Sequence, residues 1–265
     1  MTKPYSPGPR GRRVLTARPA LLVAAVAAVL AGCGDASDRS LDPAPPHAGE
    51  PVPAIRLGAV EQPLDQLREW ARARSAENGV PVRAMQAYAY ATVAMSKAQP
   101  GCHLGWVTLA GIARVESDHA RFGGATIAAD GLVRPPIRGI ALDGTGGNAR
   151  IVDPDATARA GHTVYARAMG PFQFIPDTWK RWGVRAGTDY NTLANTLGTG
   201  KQAATSDLSG SPDNIDDAAL AAGRYLCAAG GDLATAHGWR QAILAYNHSA
   251  AYVNQVRNAA IGYQK

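Results

Sequence analysis

The sequence predicts a mainly α-helical protein with long irregular loops and at most a small β element. In six segments, apolar residues recur every three or four positions, which is the period of a helix buried on one face. One long segment, residues 121–214, is instead rich in Gly, Asp, Thr and Pro. No stretch shows the sustained alternation of apolar and polar residues that is typical of a large sheet. With 265 residues, the chain is long enough for one or two domains with a sizeable core.

Each predicted helix is recognised by its apolar face or by a start signal. Helices are predicted to begin near Leu64 and Pro81, and to cover residues 105–116, 214–229, 236–246 and 250–260. Pro81 suits the first turn of a helix, and Asn214 is a good N-cap with two acidic residues behind it. Inside the irregular segment, residues 131–140 favour one or two short strands.

The first 32 residues are typical of an export signal. Basic residues precede an apolar run, residues 20–31, which is too short for a spanning helix because that needs about 20 apolar residues. The run ends in LAGC at Cys33, which resembles the lipobox of bacterial lipoproteins. The resemblance implies a signal peptide over 1–32, a lipid on Cys33, and a place on the outer face of the cell membrane, facing the cell wall. A secretory signal with an incidental cysteine is the alternative, and either Sec or Tat export fits.

The net charge of +6 is concentrated in this leader. Five basic residues lie among the first twenty, so the remainder carries about +1. Because the rest of the chain has no basic stripe, no nucleic-acid partner is expected. Residues 33–63, rich in Pro, Gly, Ala and charge, predict a flexible tether before a folded domain over 64–265.

The other two cysteines, Cys102 and Cys227, form an even pair once Cys33 is set aside. In an oxidising compartment, this pair favours a disulfide that closes a loop of about 125 residues and stabilises by roughly 2–5 kcal/mol. Two buried free thiols are the alternative. A zinc site is disfavoured, since two single cysteines lack the paired spacing of zinc ligands.

Glu116 is the candidate for acid–base chemistry. In the helix over 105–116 it follows Trp106, Leu109 and Ala113 along one apolar face, so a carboxyl ends a buried stripe. Burial and the negative end of the helix dipole would both raise its pKa, as a general acid requires near neutral pH. A solvated glutamate at a helix end is the alternative.

Four sequence blocks resemble those of lytic transglycosylases and occur in the order found in that family. They are IARVESDH (112–119), AMGPFQFIPDTW (168–179), DDAALAAGRYLC (216–227) and ILAYNHSAAYV (243–253). The resemblance spans about residues 84–256 and is to the membrane-bound type B group, in its actinobacterial lipoprotein form. It implies a lysozyme-like helical domain.

The resemblance also implies a role for each matching residue. Glu116 would be the single acid/base, with Ser117 beside it in the substrate site. Gln173 and Asn247 would hydrogen-bond the N-acetyl and hydroxyl groups of the sugars. The glycan groove would be lined by Met169, Phe174, Tyr225, Tyr246 and Tyr252. Core packing is the alternative role of these aromatic side chains.

The activity implied by the family is cleavage of the β-1,4 bond between MurNAc and GlcNAc of peptidoglycan, with formation of 1,6-anhydroMurNAc. Most glycosidases use two carboxylates, and no second one can be assigned here. In the family, the substrate's own N-acetyl oxygen takes over that role. A muramidase that uses water with the same Glu116 is one alternative, and an inactive peptidoglycan-binding scaffold lipoprotein is another.

No cofactor or metal is expected. Many members of the transglycosylase family carry a calcium loop before the helix that corresponds to 214–229, but residues 187–212 lack its acidic spacing. The six histidines show no zinc-ligand spacing such as H-E-x-x-H. The expected partners are therefore peptidoglycan strands and, through the lipid anchor, the membrane.

Overall fold

The computed structural model describes residues 43–58, 63–200, 202–203 and 206–264. Cys33 and the predicted signal peptide lie outside the described residues. Within the described ranges, no helix has both the length and the apolar character needed to cross a membrane.

The described chain is mainly helical with one small antiparallel sheet, as the sequence predicts. The helices are α1 (Arg68–Asn78), α2 (Val82–Ala98), α3 (Trp106–Ser117), α4 (Pro154–Ala160), α5 (Pro176–Trp182), α6 (Tyr190–Thr199), α7 (Ile215–Gly230), α8 (Ala236–Tyr246) and α9 (Ala250–Gly262). The strands are β1 (Thr126–Ile127) and β2 (Val133–Arg134), with Thr126 opposite Arg134. Short 3-10 turns occur at Asp65–Leu67, Pro100–Cys102, Phe122–Gly124, Thr145–Gly147 and Ser206–Leu208.

The six predicted helices are confirmed as α1, α2, α3, α7, α8 and α9. The helices α4, α5 and α6 interrupt the segment that was predicted to be irregular. They were not predicted because α4 and α5 have seven residues each and α6 has ten, too few for a clear apolar period. Their start signals are present, since Pro154 and Pro176 occupy the first turn of α4 and α5 and Asp189 caps α6.

The core is built around α2, which packs against α1, α3 and α7, while α3 packs against α9. Small residues let these helices approach closely. A Cβ at Gly111 of α3 would lie 2.8 Å from the carbonyl oxygen of Val256 in α9. Because real Cβ atoms essentially never come that close to another heavy atom, glycine at 111 fixes the distance between these two helices.

The predicted disulfide between Cys102 and Cys227 is present. It joins the turn before α3 to α7 across 125 residues of sequence. Both cysteines are buried, at 3% exposure each. The bond therefore links the turn directly before α3, the helix that carries Glu116, to α7, the helix that carries Tyr225.

The prediction of a flexible tether over 33–63 needs correction for the residues that the structure describes. Residues 43–58, here called the strap, lie against the helices and belong to the same compact unit. The indole N–H groups of Trp106 and Trp70 donate to the carbonyl oxygens of Glu50 and Pro51, each at 3.0 Å. Composition alone missed this contact, because the strap is held by its backbone carbonyls and by close packing rather than by a periodic apolar face.

Candidate active site

Glu116 lies in the last turn of α3 and is partly buried. Its carboxylate oxygen Oε1 accepts a hydrogen bond of 2.5 Å from the hydroxyl group of Tyr252 in α9. Tyr252 is only 6% exposed, so this partner lies in the protein interior. The carboxyl group is thus held in a fixed position between two packed helices.

Burial raises the pKa of Glu116 from 4.5 to about 7, while the hydrogen bond from Tyr252 acts in the opposite direction. A carboxyl with this pKa is about half protonated at neutral pH. It can therefore donate a proton and later accept one without leaving the neutral range, as an acid/base residue must.

Ser117 joins the end of α3 to residues 169–174. Its hydroxyl group donates to the carbonyl oxygen of Pro171 at 2.7 Å and accepts from the backbone N–H of Ala120 at 2.9 Å. With an exposure of 2%, Ser117 has no surface for a ligand. These contacts give Ser117 a positioning role at the end of α3, and its expected part in substrate binding stays a prediction.

Residues 169–174 form a tight turn that faces the end of α3. Met169 and Phe174 are joined by two backbone hydrogen bonds of 2.9 and 3.0 Å. Gly170 has a φ of 70°, and a Cβ there would lie 1.7 Å from the carbonyl oxygen of Pro212, so only glycine fits. Gln173 also has a positive φ, 50°, which turns the chain back toward Phe174.

The side chain of Gln173 is partly exposed at the tip of this turn. Its amide nitrogen Nε2 donates to the carbonyl oxygen of Gly170 at 2.8 Å. No residue in the described ranges donates to its Oε1 atom, which lies beside Gly139, where a Cβ would come within 3.2 Å of it. The turn therefore presents an amide oxygen that is open to a ligand.

The end of α8 completes the site. The hydroxyl group of Tyr246 donates to the carbonyl oxygen of Phe172 at 2.7 Å. Tyr246 as a whole residue is partly exposed. The pKa of its hydroxyl group is raised, first by burial of that group and next by the nearby negative charge of Glu116. Asn247 follows as the C-cap of α8, with an exposed side chain. The ends of α3 and α8 and the turn at 169–174 thus converge.

Five aromatic rings form a continuous run with Tyr246 in the middle. In spatial order they are Trp179, Phe174, Tyr246, Tyr225 and Trp182, with neighbouring ring centroids 5.3 to 5.8 Å apart. Tyr225 contacts a ring on each side, and its hydroxyl donates to the carbonyl oxygen of Ala245 at 2.6 Å. Phe174 is 2% exposed. Phe174 and Tyr252 are thus buried, Tyr225 has a ring on each side, and Met169 is partly exposed. The lining of a glycan groove by these residues stays a prediction.

Sequence reasoning missed a buried polar contact directly after Glu116. His119 is 1% exposed, and its ring nitrogens lie 3.1 Å from the hydroxyl of Tyr88 and 2.7 Å from that of Tyr263. Burial lowers the pKa of His119 to about 3, so the imidazole is neutral. No local pattern could reveal this contact, since its partners lie 31 and 144 residues away in sequence.

No second carboxylate joins Glu116 among the groups that the structure describes around it. Asp118 ends α3 in the left-handed conformation, and its carboxylate is paired with Arg114 and Arg121. Likewise, the described ranges contain no group of three or more His, Cys, Asp or Glu side chains placed to hold a metal ion. The chemistry available at the site is that of one carboxyl group with amide and hydroxyl neighbours.

Comparisons with family models, with curated proteins and with solved structures find no match for this chain.

Proposed function

We propose that this protein is a peptidoglycan lytic transglycosylase in which Glu116 is first the general acid and then the general base. The observation that carries the proposal is the partly buried Glu116 carboxyl, with a pKa raised to about 7, where α3, α8 and the turn at 169–174 meet. Three of the four sequence blocks that resemble those of transglycosylases supply the residues of this meeting point, and the fourth, 216–227, lies in α7 and contains Tyr225.

The chemistry follows from a single carboxyl group. Protonated Glu116 donates its proton to the glycosidic oxygen as the C1–O4 bond between MurNAc and GlcNAc breaks. The carbonyl oxygen of the substrate's N-acetyl group stabilises the positive charge that develops at C1. Glu116, now a carboxylate, takes the proton of the MurNAc 6-hydroxyl as that oxygen bonds to C1. The enzyme ends in its starting protonation state and the sugar ends as 1,6-anhydroMurNAc.

The amide groups at the site suit an N-acetylated sugar. The open Oε1 of Gln173 can accept a hydrogen bond from the N-acetyl N–H or from a hydroxyl, and the exposed amide of Asn247 can both donate and accept. Tyr246 directly precedes Asn247, and its hydroxyl group already donates to the carbonyl oxygen of Phe172. We assign Gln173 and Asn247 to substrate binding and Tyr246 to the wall of the groove.

The proposed location is the outer face of the cell membrane, with a lipid on Cys33 and peptidoglycan strands as the partner. This part rests on the export signal and on the lipobox-like LAGC motif. Labelling of growing cells with a lipid precursor tests it, since a Cys33→Ala variant should lose the label and leave the membrane fraction.

The test of the reaction is digestion of purified peptidoglycan by wild type and by Glu116→Gln, followed by mass spectrometry of the released fragments. We expect wild type to release fragments lighter by one water than hydrolytic products. Glu116→Gln should lose at least about a thousandfold in rate while remaining folded, because a general acid alone contributes about 10²–10⁴-fold and here the same residue also acts as base. Glu69→Gln, at an exposed position of α1, is the matched control and should keep full activity.

Three other outcomes are informative. Fragments without the loss of water would identify a muramidase that works with the same residue. Binding of strands without any cleavage would favour the scaffold role. A Glu116→Gln variant with unchanged turnover would remove Glu116 from the mechanism.

A further inference from the structure

A cavity of about 520 Å³ lies between α5 and α7, at the far end of the aromatic run. Its walls include Asp177, Thr178 and Arg181 from α5, and the rings of Trp182 and Tyr225. Tyr225 is the ring next to Tyr246. The cavity is therefore linked to the Glu116 site through one ring contact, since Tyr225 lies in its wall and Tyr246 lies close to Glu116.

The cavity contains one acidic and one basic group that are free of each other. Asp177 and Arg181 are four residues apart on α5, a spacing at which opposite charges usually pair. In the described part of the chain, neither makes an ion pair or a side-chain hydrogen bond with another residue. The guanidinium of Arg181 lies instead 5.0 Å from the ring centroid of Trp182. Because the guanidinium of Arg181 lies over that ring and is not paired with Asp177, the carboxylate of Asp177 stays available to a ligand.

The aromatic wall of this cavity does not offer a platform for a sugar. Trp182 is 6% exposed and stacks on Tyr225, with the ring centroids 5.3 Å apart and the planes at 24°. A second guanidinium, that of the buried Arg224, lies 5.7 Å from the same ring centroid. With the ring in contact with protein groups, the open features of the cavity are two exposed charges of opposite sign.

We propose that this cavity binds the zwitterionic part of the peptides that peptidoglycan carries on its muramic acid residues. A ligand ammonium group would pair with Asp177, and a ligand carboxylate would bind Arg181. The cavity then makes the enzyme prefer strands that still bear peptides over strands that have lost them. This inference rests on the proposed function, since it assigns a second part of the same substrate.

The test measures binding separately from cleavage. Two fluorescent probes are prepared from the same glycan strands, one with its peptides and one stripped of them by an amidase. Their Kd values are measured by fluorescence anisotropy with a protein that is wild type in this cavity and with Arg181→Gln, Asp177→Asn and Lys180→Gln. All four proteins also carry Glu116→Gln, so that the strands are not cleaved during the measurement. Lys180 is the control, since it lies on the same helix but pairs with Asp155 at 3.3 Å.

We expect wild type and Lys180→Gln to bind the strands with peptides about tenfold more tightly, as one or two charge-assisted hydrogen bonds at an exposed site would give. Arg181→Gln and Asp177→Asn should each reduce this preference at least about threefold and leave the Kd for stripped strands unchanged. Equal affinity of wild type for the two probes overturns the inference, and so does a preference that survives both substitutions.

The outcomes separate this inference from the proposed function. A wild-type enzyme that cleaves both kinds of strand without any preference overturns only the peptide site. One that prefers strands with peptides but cleaves neither overturns only the reaction. One that binds neither probe overturns both.

Discussion

Two effects act in opposite directions on the pKa of Glu116: its burial and its hydrogen bond from Tyr252. Burial holds the proton on Glu116, whereas the tyrosine hydroxyl donates to the carboxylate form and lowers the pKa. The balance near neutral pH matters because a residue that acts first as acid and then as base must change state twice in each turnover. In the proposed mechanism, Tyr252 positions the carboxyl group of Glu116 and also tunes its pKa.

Replacing Tyr252 by Phe should shift the pH dependence of activity upward. The variant loses the donor that stabilises the carboxylate, so the pKa of Glu116 rises above its present value of about 7. Because the reaction starts from the protonated acid, activity falls as pH rises through that pKa, and this alkaline limb should move to higher pH. The measurement is kcat/KM between pH 5 and pH 9.

Tyr165→Phe is the matched control for this variant. Its hydroxyl accepts from Arg150 at 3.0 Å in an exposed loop, and the substitution should leave the profile in place. If the alkaline limb of the Tyr252→Phe profile is unchanged or moves to lower pH, the role assigned to this tyrosine is contradicted.

Prediction from the sequence reaches a clear limit at this scale. The apolar stripe of Trp106, Leu109 and Ala113 predicted that Glu116 would be partly buried, since helical geometry alone fixes which residues share a face. The orientations of Ser117 and Tyr252 could not be predicted in the same way. They depend on acceptors 54 and 136 residues away, which only the packed helices bring together.

At the scale of elements, the chain just after α3 adopts an unusual conformation. Asp118, His119 and Ala120 have φ values of 52°, 56° and 67°, three consecutive left-handed residues without a glycine. Each such residue costs about 1–2 kcal/mol, so surrounding contacts must hold the turn. The buried His119 provides them from the side, through Tyr88 of α2 and through Tyr263 just after α9.

We expect His119→Asn to lower the free energy of unfolding by about 2–3 kcal/mol, because the buried hydroxyl of Tyr88 loses its partner. Asparagine is chosen because it tolerates the left-handed conformation but is too short to reach both tyrosines. In a Tyr88→Phe background, the same substitution should cost less by about 1 kcal/mol. Urea unfolding of the four proteins measures this coupling, and strictly additive costs would show that the histidine does not act through Tyr88.

The long helices could be predicted from the sequence and the three short ones could not, for the same physical reason. A helix of 11 to 17 residues, such as α2 or α8, repeats its apolar positions often enough to define a face. In α5, the seven residues make fewer than two turns, and both of its buried residues are tryptophans, Trp179 and Trp182, that also belong to the aromatic run. Its position therefore depends on contacts that the sequence does not display.

For the whole molecule, the strap changes how the domain relates to the proposed anchor. A tether over 33–63 would give some thirty free residues, whereas Ala44 of the strap already contacts α9, where its carbonyl oxygen accepts from Arg257 at 3.0 Å. With Cys33 as the anchor, the ten residues 34–43 separate Cys33 from Ala44, a reach of at most about 40 Å. The catalytic domain would then act on glycan strands close to the membrane surface.

The strap is attached at the opposite end of α3 from Glu116, about 15 Å along the helix axis. Gly49 has a φ of 83°, and a Cβ there would lie 2.6 Å from Cγ1 of Val107 and 2.7 Å from Nε1 of Trp106. Across the contact, a Cβ at Gly105 would lie 2.7 Å from the Cα of Ala48. Glycines on both sides let the backbone of the strap contact the backbone at the start of α3, so the strap packs closely against the beginning of the helix that carries Glu116.

Substitution of these glycines measures what the strap contributes to stability. Gly79→Ala carries a similar backbone strain, at a φ of 66°, but its new Cβ meets nothing within 4 Å, so it should cost about 1 kcal/mol. Gly49→Ala adds a clash with Val107 and Trp106 and should cost at least about 1–2 kcal/mol more, up to the full stability that the strap provides. Thermal unfolding of both variants gives the comparison, with about 2–4 °C of Tm for each kcal/mol in a domain of this size.

Activity of the Gly49→Ala protein should persist below its unfolding transition, because the strap does not reach Glu116. If Gly49→Ala costs no more than Gly79→Ala, the strap contributes nothing to folding, and the free tether of 33–63 is restored.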